Sequence, residues 1–170
     1  GIHKGHQKVF KKTKKFAKKN KIKFGVLTFT PLPVMFFNKK IRNFRLISEE
    51  RKFELFKKHG VNFVINVKFN KRFSKISAED FIKKIVYQKI NPQSLSVSNN
   101  FKFGRKRKGG VNLLKKFSYK YNYRLLNIEP FKYDRKIVSS TRIRKSLQIG
   151  KINLANRLLT RTWFIEGLVE

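Results

Sequence analysis

The strongest constraint on this chain is the regular alternation of helix-period and strand-like segments along its 170 residues. Val9, Phe10, Thr13, Phe16 and Ala17 recur at helical spacing, which predicts a helix from Gln7 to about Asn20 with lysines on its other faces. The run from Ile22 to Phe29 reads as a buried strand that ends in a loop at Pro31-Leu32-Pro33. Ser48, with Glu49 and Glu50 behind it, opens a helix that His59-Gly60 closes, and Val61 to Val67 reads as the next strand. Ser77, followed by Glu79 and Asp80, opens a helix carrying Phe81, Ile82, Ile85 and Val86. A short strand is predicted from Ser94 to Val97, then a basic loop from Ser98 to Gly110, then a helix holding Leu113, Leu114, Phe117 and Tyr121. Arg124 to Ile128 reads as a strand. Ser139 or Ser140 caps a helix that ends near Gly150, a short helix covers about Ile152 to Leu159, and Thr162 to Glu170 reads as one further strand.

Strands alternating with helices imply a Rossmann-like, doubly wound parallel sheet with helices on both faces. Such sheets bind ligands beyond the carboxyl ends of their strands. Thr28 to Pro33, Ser98 to Gly110 and Val138 to Arg144 all follow predicted strands. The opening Gly1-Ile2-His3-Lys4-Gly5-His6-Gln7 should follow one too, so the first strand of the sheet is expected to be missing from this chain. That strand is normally central, and its loss is expected to expose an apolar seam.

Composition narrows the function classes. Apolar residues make up 40% of the chain and 18 residues are phenylalanine, enough for a packed core. There is no cysteine, which excludes disulfides and cysteine-ligated zinc. No apolar run approaches the roughly 20 residues of a membrane helix, and no signal-peptide pattern is visible, so a cytoplasmic location is expected. The 43 basic residues against 9 acidic ones give a net charge of +34, which invites a nucleic-acid reading. Against it, lysines outnumber arginines 31 to 12 and are spread through nearly every segment, whereas base and phosphate recognition leans on arginine's planar fork. The excess reads first as compositional drift, with polyanion binding and steering of anionic substrates as the alternatives; nucleic-acid binding, if any, is expected to be non-specific.

Two short motifs carry chemistry. His3 and His6, three apart at the opening of a helix, stand on one side of its first turn beside unpaired N–H groups and the positive end of the dipole. Ser139-Ser140-Thr141-Arg142-Ile143-Arg144 puts hydroxyls, free N–H groups and a guanidinium at another helix start. Singly, each has a plainer reading, an incidental histidine pair and an ordinary Ser/Thr cap. Their joint occurrence at opposite ends of an alternating α/β chain favours a phosphate site.

The chain resembles the adenylyltransferase domain of bacterial bifunctional riboflavin kinase/FAD synthetases, in the nucleotidyltransferase superfamily. His3-Lys4-Gly5-His6-Gln7 is similar to the family's HxGHQ, and Thr28-Phe29-Thr30-Pro31-Leu32-Pro33 to its TFxPxP. Asn100-Phe101-Lys102-Phe103-Gly104, with Arg107 and Gly109, resembles (D/N)F(R/K)FG…R.G, and residues 139–144 match SSTxIR. The chain departs from the family pattern at Thr30 and Leu32, where Asp and His are usual, and at Ser98, where Gly is usual.

The resemblance implies transfer of AMP from ATP to FMN, giving FAD and pyrophosphate. It implies His3, His6 and Arg144 as catalytic residues, with Gly5, Ser139, Ser140, Thr141 and Arg144 holding the ATP phosphates. Phe29, Pro31, Pro33, Asn100, Phe101 and Arg107 are the flavin-site candidates. For Phe101 and Phe103 a place in the core is the plainer reading, and Pro31 and Pro33 also serve simply to shape a turn. His59 reads as a structural helix end. Mg²⁺ is expected to arrive with ATP; no Asp or Glu precedes Glu49, so no carboxylate metal cage is expected. Residues 1–159 read as the adenylyltransferase domain, and 160–170 as the first strand of a riboflavin kinase barrel whose remainder is not in this chain. Rival readings are another nucleotidyltransferase of the superfamily and a basic nucleic-acid-binding domain.

Overall fold

The computed structural model describes residues 1–41 and 45–165. Helix α1 (Lys4–Lys19) begins three residues before the sequence pattern places it, because His3, in extended backbone, acts as its N-cap. Strand β1 (Gly25–Thr30) follows. The expected loop at residues 31–33 is followed directly by a short helix, α2 (Pro33–Phe37), with Pro33 at its first position, where a missing N–H costs nothing. Helix α3 (Glu49–Lys58) starts as expected, with the Ser48 hydroxyl accepting from the Arg51 N–H at 3.1 Å. It ends at His59, whose ring packs on Phe10 at 5.9 Å.

Strand β2 (Phe63–Lys68) leads to α4 (Lys71–Ser74), a single turn capped by Asn70. Ser77 caps α5 (Ala78–Asp80), which runs on as a π-helix over Phe81–Ile90. Strand β3 (Ser94–Ser98), a 3₁₀ turn at Arg105–Arg107, α6 (Val111–Lys120) and β4 (Arg124–Ile128) complete the middle of the chain. A hairpin of β5 (Lys132–Tyr133) and β6 (Lys136–Ile137) precedes α7 (Ser140–Gln148) and α8 (Ile152–Leu159). The strand expected from Thr162 to Glu170 is not formed over residues 162–165, and residues 166–170 lie outside the described residues.

The chain divides into two compact units. The first comprises Gly1–Gly25, Ile41–Phe63 and Pro130–Glu170. Its core is built from Leu46, Val138, Ile143, Ala155, Leu158 and Leu159, the last four fully buried. Phe10 on α1 adds an aromatic cluster, its ring 5.8 Å from Phe24 and 5.9 Å from Phe56.

The second unit comprises Val26–Lys40 and Val64–Glu129. Here β3 and β4 run parallel, with Ser94 opposite Arg124 and Ser98 opposite Ile128, joined through α6. Strands β1 and β2 also pair. The Asn62 N–H donates to the Phe24 carbonyl and the Phe69 N–H to that of Thr30, so numbers rise together along both strands and the pair is parallel. Ile82, Val86, Val97, Phe103, Leu114 and Tyr123 form the core, with Leu27 and Phe29 packed against it. Parallel pairs joined by helical crossovers are the mixed α/β arrangement that the alternation predicts.

Candidate functional site

In the first unit, His3 and His6 form a reciprocal cap on α1. His3 Nδ1 accepts from the Gly5 N–H at 3.1 Å, and the His3 N–H donates to His6 Nδ1 at 3.4 Å. This is a capping box built from imidazoles in place of a hydroxyl and a carboxylate. It also fixes the chemistry of the rings. With both Nδ1 atoms accepting, each neutral ring carries its proton on Nε2, a donor left for something outside the helix. The rings lie 4.0 Å apart, centre to centre, tilted by 41°.

Electrostatics keep them neutral. His3 is only 6% exposed, and burial above all pushes its pKa from the ordinary 6.5 down to about 2. His6 has an accessible ring, and desolvation by the surrounding protein lowers its pKa too. The pair is therefore a pair of neutral N–H donors at physiological pH.

Gly5 is required by this cap. A Cβ there would stand 2.9 Å from His3 Cε1 and 3.0 Å from its Nδ1. It would also stand 3.3 Å from the Val138 carbonyl oxygen, so the backbone entering the serine motif lies directly against the histidine turn. The structure thus brings the two ends of the chain together.

On the other side of that contact, Ser139 is the N-cap of α7, its hydroxyl accepting from the Arg142 N–H at 3.2 Å. Ser140 and Thr141 occupy the first turn, where backbone N–H groups point out of the helix end. Ile143 is fully buried and anchors the turn. Arg142 is engaged within the fold: its Nη1 donates to the carbonyls of Tyr133 and Lys136, both at 2.8 Å. Arg144 is half-buried, and burial lowers its pKa.

The hairpin that Arg142 grips also receives Lys4, whose ammonium lies 4.9 Å from the Tyr133 ring centre and 5.8 Å from that of Phe131. No local pattern in the chain announces this brace. Its turn is Asp134-Arg135, both at positive φ, without the glycine that normally marks such a turn.

The flavin-site candidates all lie in the second unit. Phe29, on β1, has its ring engaged by Phe69 at 5.9 Å and Phe73 at 5.5 Å. Pro31 precedes α2 and Pro33 opens it. Asn100, Phe101 and Arg107 are exposed on the loop from 98 to 110. Of the two loop phenylalanines, Phe103 is a core residue at 7% exposure, while Phe101, at 36%, stacks on its outer side at 5.6 Å. Phe103 pairs with Gly109 across the loop, and a Cβ on Gly104 (φ +71°) would come within 2.7 Å of the Ala78 backbone. The loop is therefore pinned at Phe103, Gly104 and Gly109, with Asn100, Phe101 and Arg107 turned outward.

Among the described residues, no three His, Cys, Asp or Glu come together as a metal-binding group. No helix there is long and apolar enough to cross a membrane.

Adjoining helix N-termini with imidazole and guanidinium groups, on a mixed α/β frame, present donors suited to phosphate oxygens. The family model of FAD synthetase matches residues 1–142, and the chain belongs to that family. It is 39% identical over 170 residues to the bifunctional riboflavin kinase/FMN adenylyltransferase of Buchnera aphidicola subsp. Schizaphis graminum, covering 99% of this chain and 54% of that one. The protein of the same name from Escherichia coli K12 is 28% identical over 169 residues, with the same coverage. The chain thus spans about half the length of these curated relatives. A crystal structure described as a macrolide-efflux protein from Streptococcus pneumoniae superposes with a TM-score of 0.83 at 23% identity, covering 95% of this chain and 54% of that one. At that identity the likeness concerns the fold alone.

Proposed function

We propose that this chain transfers AMP from ATP to the phosphate of FMN, forming FAD and releasing pyrophosphate. The observation that carries the reading is the pair of Nε2–H donors set by the His3–His6 cap, with the α7 start packed against it. An FMN phosphate oxygen attacks the α-phosphorus in line, and the bond from that phosphorus to the bridging oxygen of the β-phosphate breaks. No covalent protein intermediate is required, so catalysis rests on positioning and on stabilising charge. His6, with its accessible ring, donates to the phosphate oxygens as charge builds; His3, more deeply set, donates from the edge of its ring and holds the turn. Ser139, Ser140, Thr141 and Arg144 hold the β- and γ-phosphates and stabilise departing pyrophosphate, Ser139 through its cap and the other three directly.

Gly5 serves this site by leaving room for the His3 ring as well as for the nucleotide. Within the second unit, Phe29, Pro31, Pro33, Asn100, Phe101 and Arg107 are proposed as the residues that bind FMN. The donor set around the phosphates consists of N–H groups, hydroxyls and a cation, which suits phosphate oxygens and not a divalent metal. Mg²⁺ is accordingly proposed to travel with ATP, ligated by phosphates and water.

Residues 1–159 are proposed to be the adenylyltransferase domain, with 160–170 leading into a riboflavin kinase barrel, so that the full-length protein also phosphorylates riboflavin to FMN. A cytoplasmic setting is proposed with it, on the strength of the proposed substrates, ATP and FMN. The test is to incubate the full-length protein with ATP, Mg²⁺ and FMN and to resolve FAD by chromatography. FAD is expected, and turnover should fall far more than FMN affinity in His6→Ala. No FAD from active-site-intact protein would sink the assignment.

A further inference from the structure

The histidine turn is held from both sides by the end of α8. Beyond His6, the Gln7 amide donates to Thr160 Oγ1 at 2.7 Å and to the Leu159 carbonyl at 3.2 Å. Ahead of His3, the Ile2 carbonyl accepts from Arg161 Nη1 at 2.6 Å, and that same nitrogen donates to the Leu159 carbonyl at 3.1 Å. The Thr160 hydroxyl donates to Leu159 as well, at 2.6 Å. One carbonyl at the helix end thus gathers three donors, two of which reach back to residues flanking the catalytic pair.

The anchor is rigid. Ala155, Leu158 and Leu159 are fully buried, and Trp163 fixes the outgoing chain by donating from Nε1 to the Leu46 carbonyl at 3.1 Å. Thr160 itself sits in the left-handed region, at φ 60° and ψ 28°. A β-branched residue is strained there and persists only where its surroundings demand it. The demand visible here is the hydroxyl that Gln7 uses. Arg161 keeps Nη2 buried without a partner among the described residues, a further cost accepted to place Nη1 on Ile2.

We propose that Gln7, Thr160 and Arg161 are positioning residues that hold His3 and His6 in their Nε2–H tautomers and in register, making the rate of AMP transfer depend on the segment that follows α8. This rests on the adenylyl-transfer reading for its kinetic part only. None of the three is placed on the nucleotide; they act through the backbone at residues 2 and 7.

The experiment uses the full-length protein and the variants Gln7→Ala, Arg161→Met, Thr160→Val and Thr160→Ser. Steady-state FAD synthesis is measured alongside imidazole ¹⁵N spectra of His3 and His6. The first three variants should lower kcat by about tenfold or more while KM for FMN stays within about twofold, as expected for displaced catalytic groups. Their histidine spectra should shift from one tautomer to a mixture, and Thr160→Ser, which keeps the hydroxyl, should restore both readouts. Where Gln7→Ala does not fold, Thr160→Val against Thr160→Ser gives the same comparison. Wild-type kcat and unchanged tautomers in Gln7→Ala and Arg161→Met would overturn the proposal, as would equal losses in Thr160→Val and Thr160→Ser. Absence of FAD from unsubstituted protein would sink the adenylyl-transfer reading alone, and the imidazole spectra would then decide the clamp by the same criterion.

Discussion

Replacing Gly5 with alanine separates stability from chemistry at this site. The added Cβ would lie 2.9 Å from His3 Cε1, about 0.6 Å inside ordinary carbon–carbon contact. The Val138 carbonyl oxygen, 3.3 Å from the same Cβ, is a second tight contact and belongs to the backbone, so the imidazole is the group that must move. Losing an N-cap hydrogen bond costs about 1 kcal/mol, while alanine in place of glycine returns up to about 1 kcal/mol of helix propensity. These offset, so Gly5→Ala should melt within about 4 °C of the parent. Catalysis has no such compensation, since about 1 Å of misplacement can cost on the order of 100-fold. We expect kcat for FAD formation to fall between about tenfold and a hundredfold, read by chromatography at saturating ATP and FMN beside a thermal melt. Parental kcat in a folded Gly5→Ala protein would refute the role assigned to the cap.

Because the His3 pKa is lowered from 6.5 to about 2 in the folded state, the unfolded chain takes up a proton that the folded one refuses. Its contribution is full above pH 6.5 and is lost as pH falls below it, at about 1.4 kcal/mol per pH unit; urea titrations should show a slope shallower by about that amount in His3→Asn than in the parent, where His6, lowered to about 4, adds its own. Gly104→Ala places a Cβ 2.7 Å from the Ala78 backbone at φ +71° and should destabilise the protein by about 1–3 kcal/mol in the same titration. Phe101→Ala removes an exposed ring stacked on Phe103, and should raise KM for FMN while KM for ATP is unchanged.

The parts of the fold set by local chemistry were legible in the sequence. Arg124–Ile128 and Ile152–Leu159 form with the bounds their apolar spacing predicts, and Ser48, Ser77 and Ser139 all cap the helices they precede. Apolar periodicity alone starts α1 at Gln7, but the histidine pair marks its first turn; that Nδ1 of His3 serves as the cap is visible only in the structure, because histidine caps helices rarely. The short helix at Pro33 and the hairpin at residues 132–137 follow from packing and from positive-φ turns without glycine, neither of which leaves a periodic trace. At the site, the histidine pair and the serine turn were legible from spacing, but Arg142 shows the limit: nothing in the motif tells that its guanidinium turns to the hairpin carbonyls. Gln7, Thr160 and Arg161 meet across more than 150 residues of chain, which no local pattern encodes.

Adenylyl transfer as proposed moves the α-phosphoryl group of ATP, with its adenosine, onto FMN. Supplying the full-length protein with FMN, Mg²⁺ and ATP labelled either at the α- or at the γ-phosphate tests it directly. Adenylyl transfer predicts α-label in FAD, γ-label in pyrophosphate, and equal amounts of the two products. Unlabelled FAD from the α-labelled nucleotide, or γ-label appearing in FAD, would contradict it.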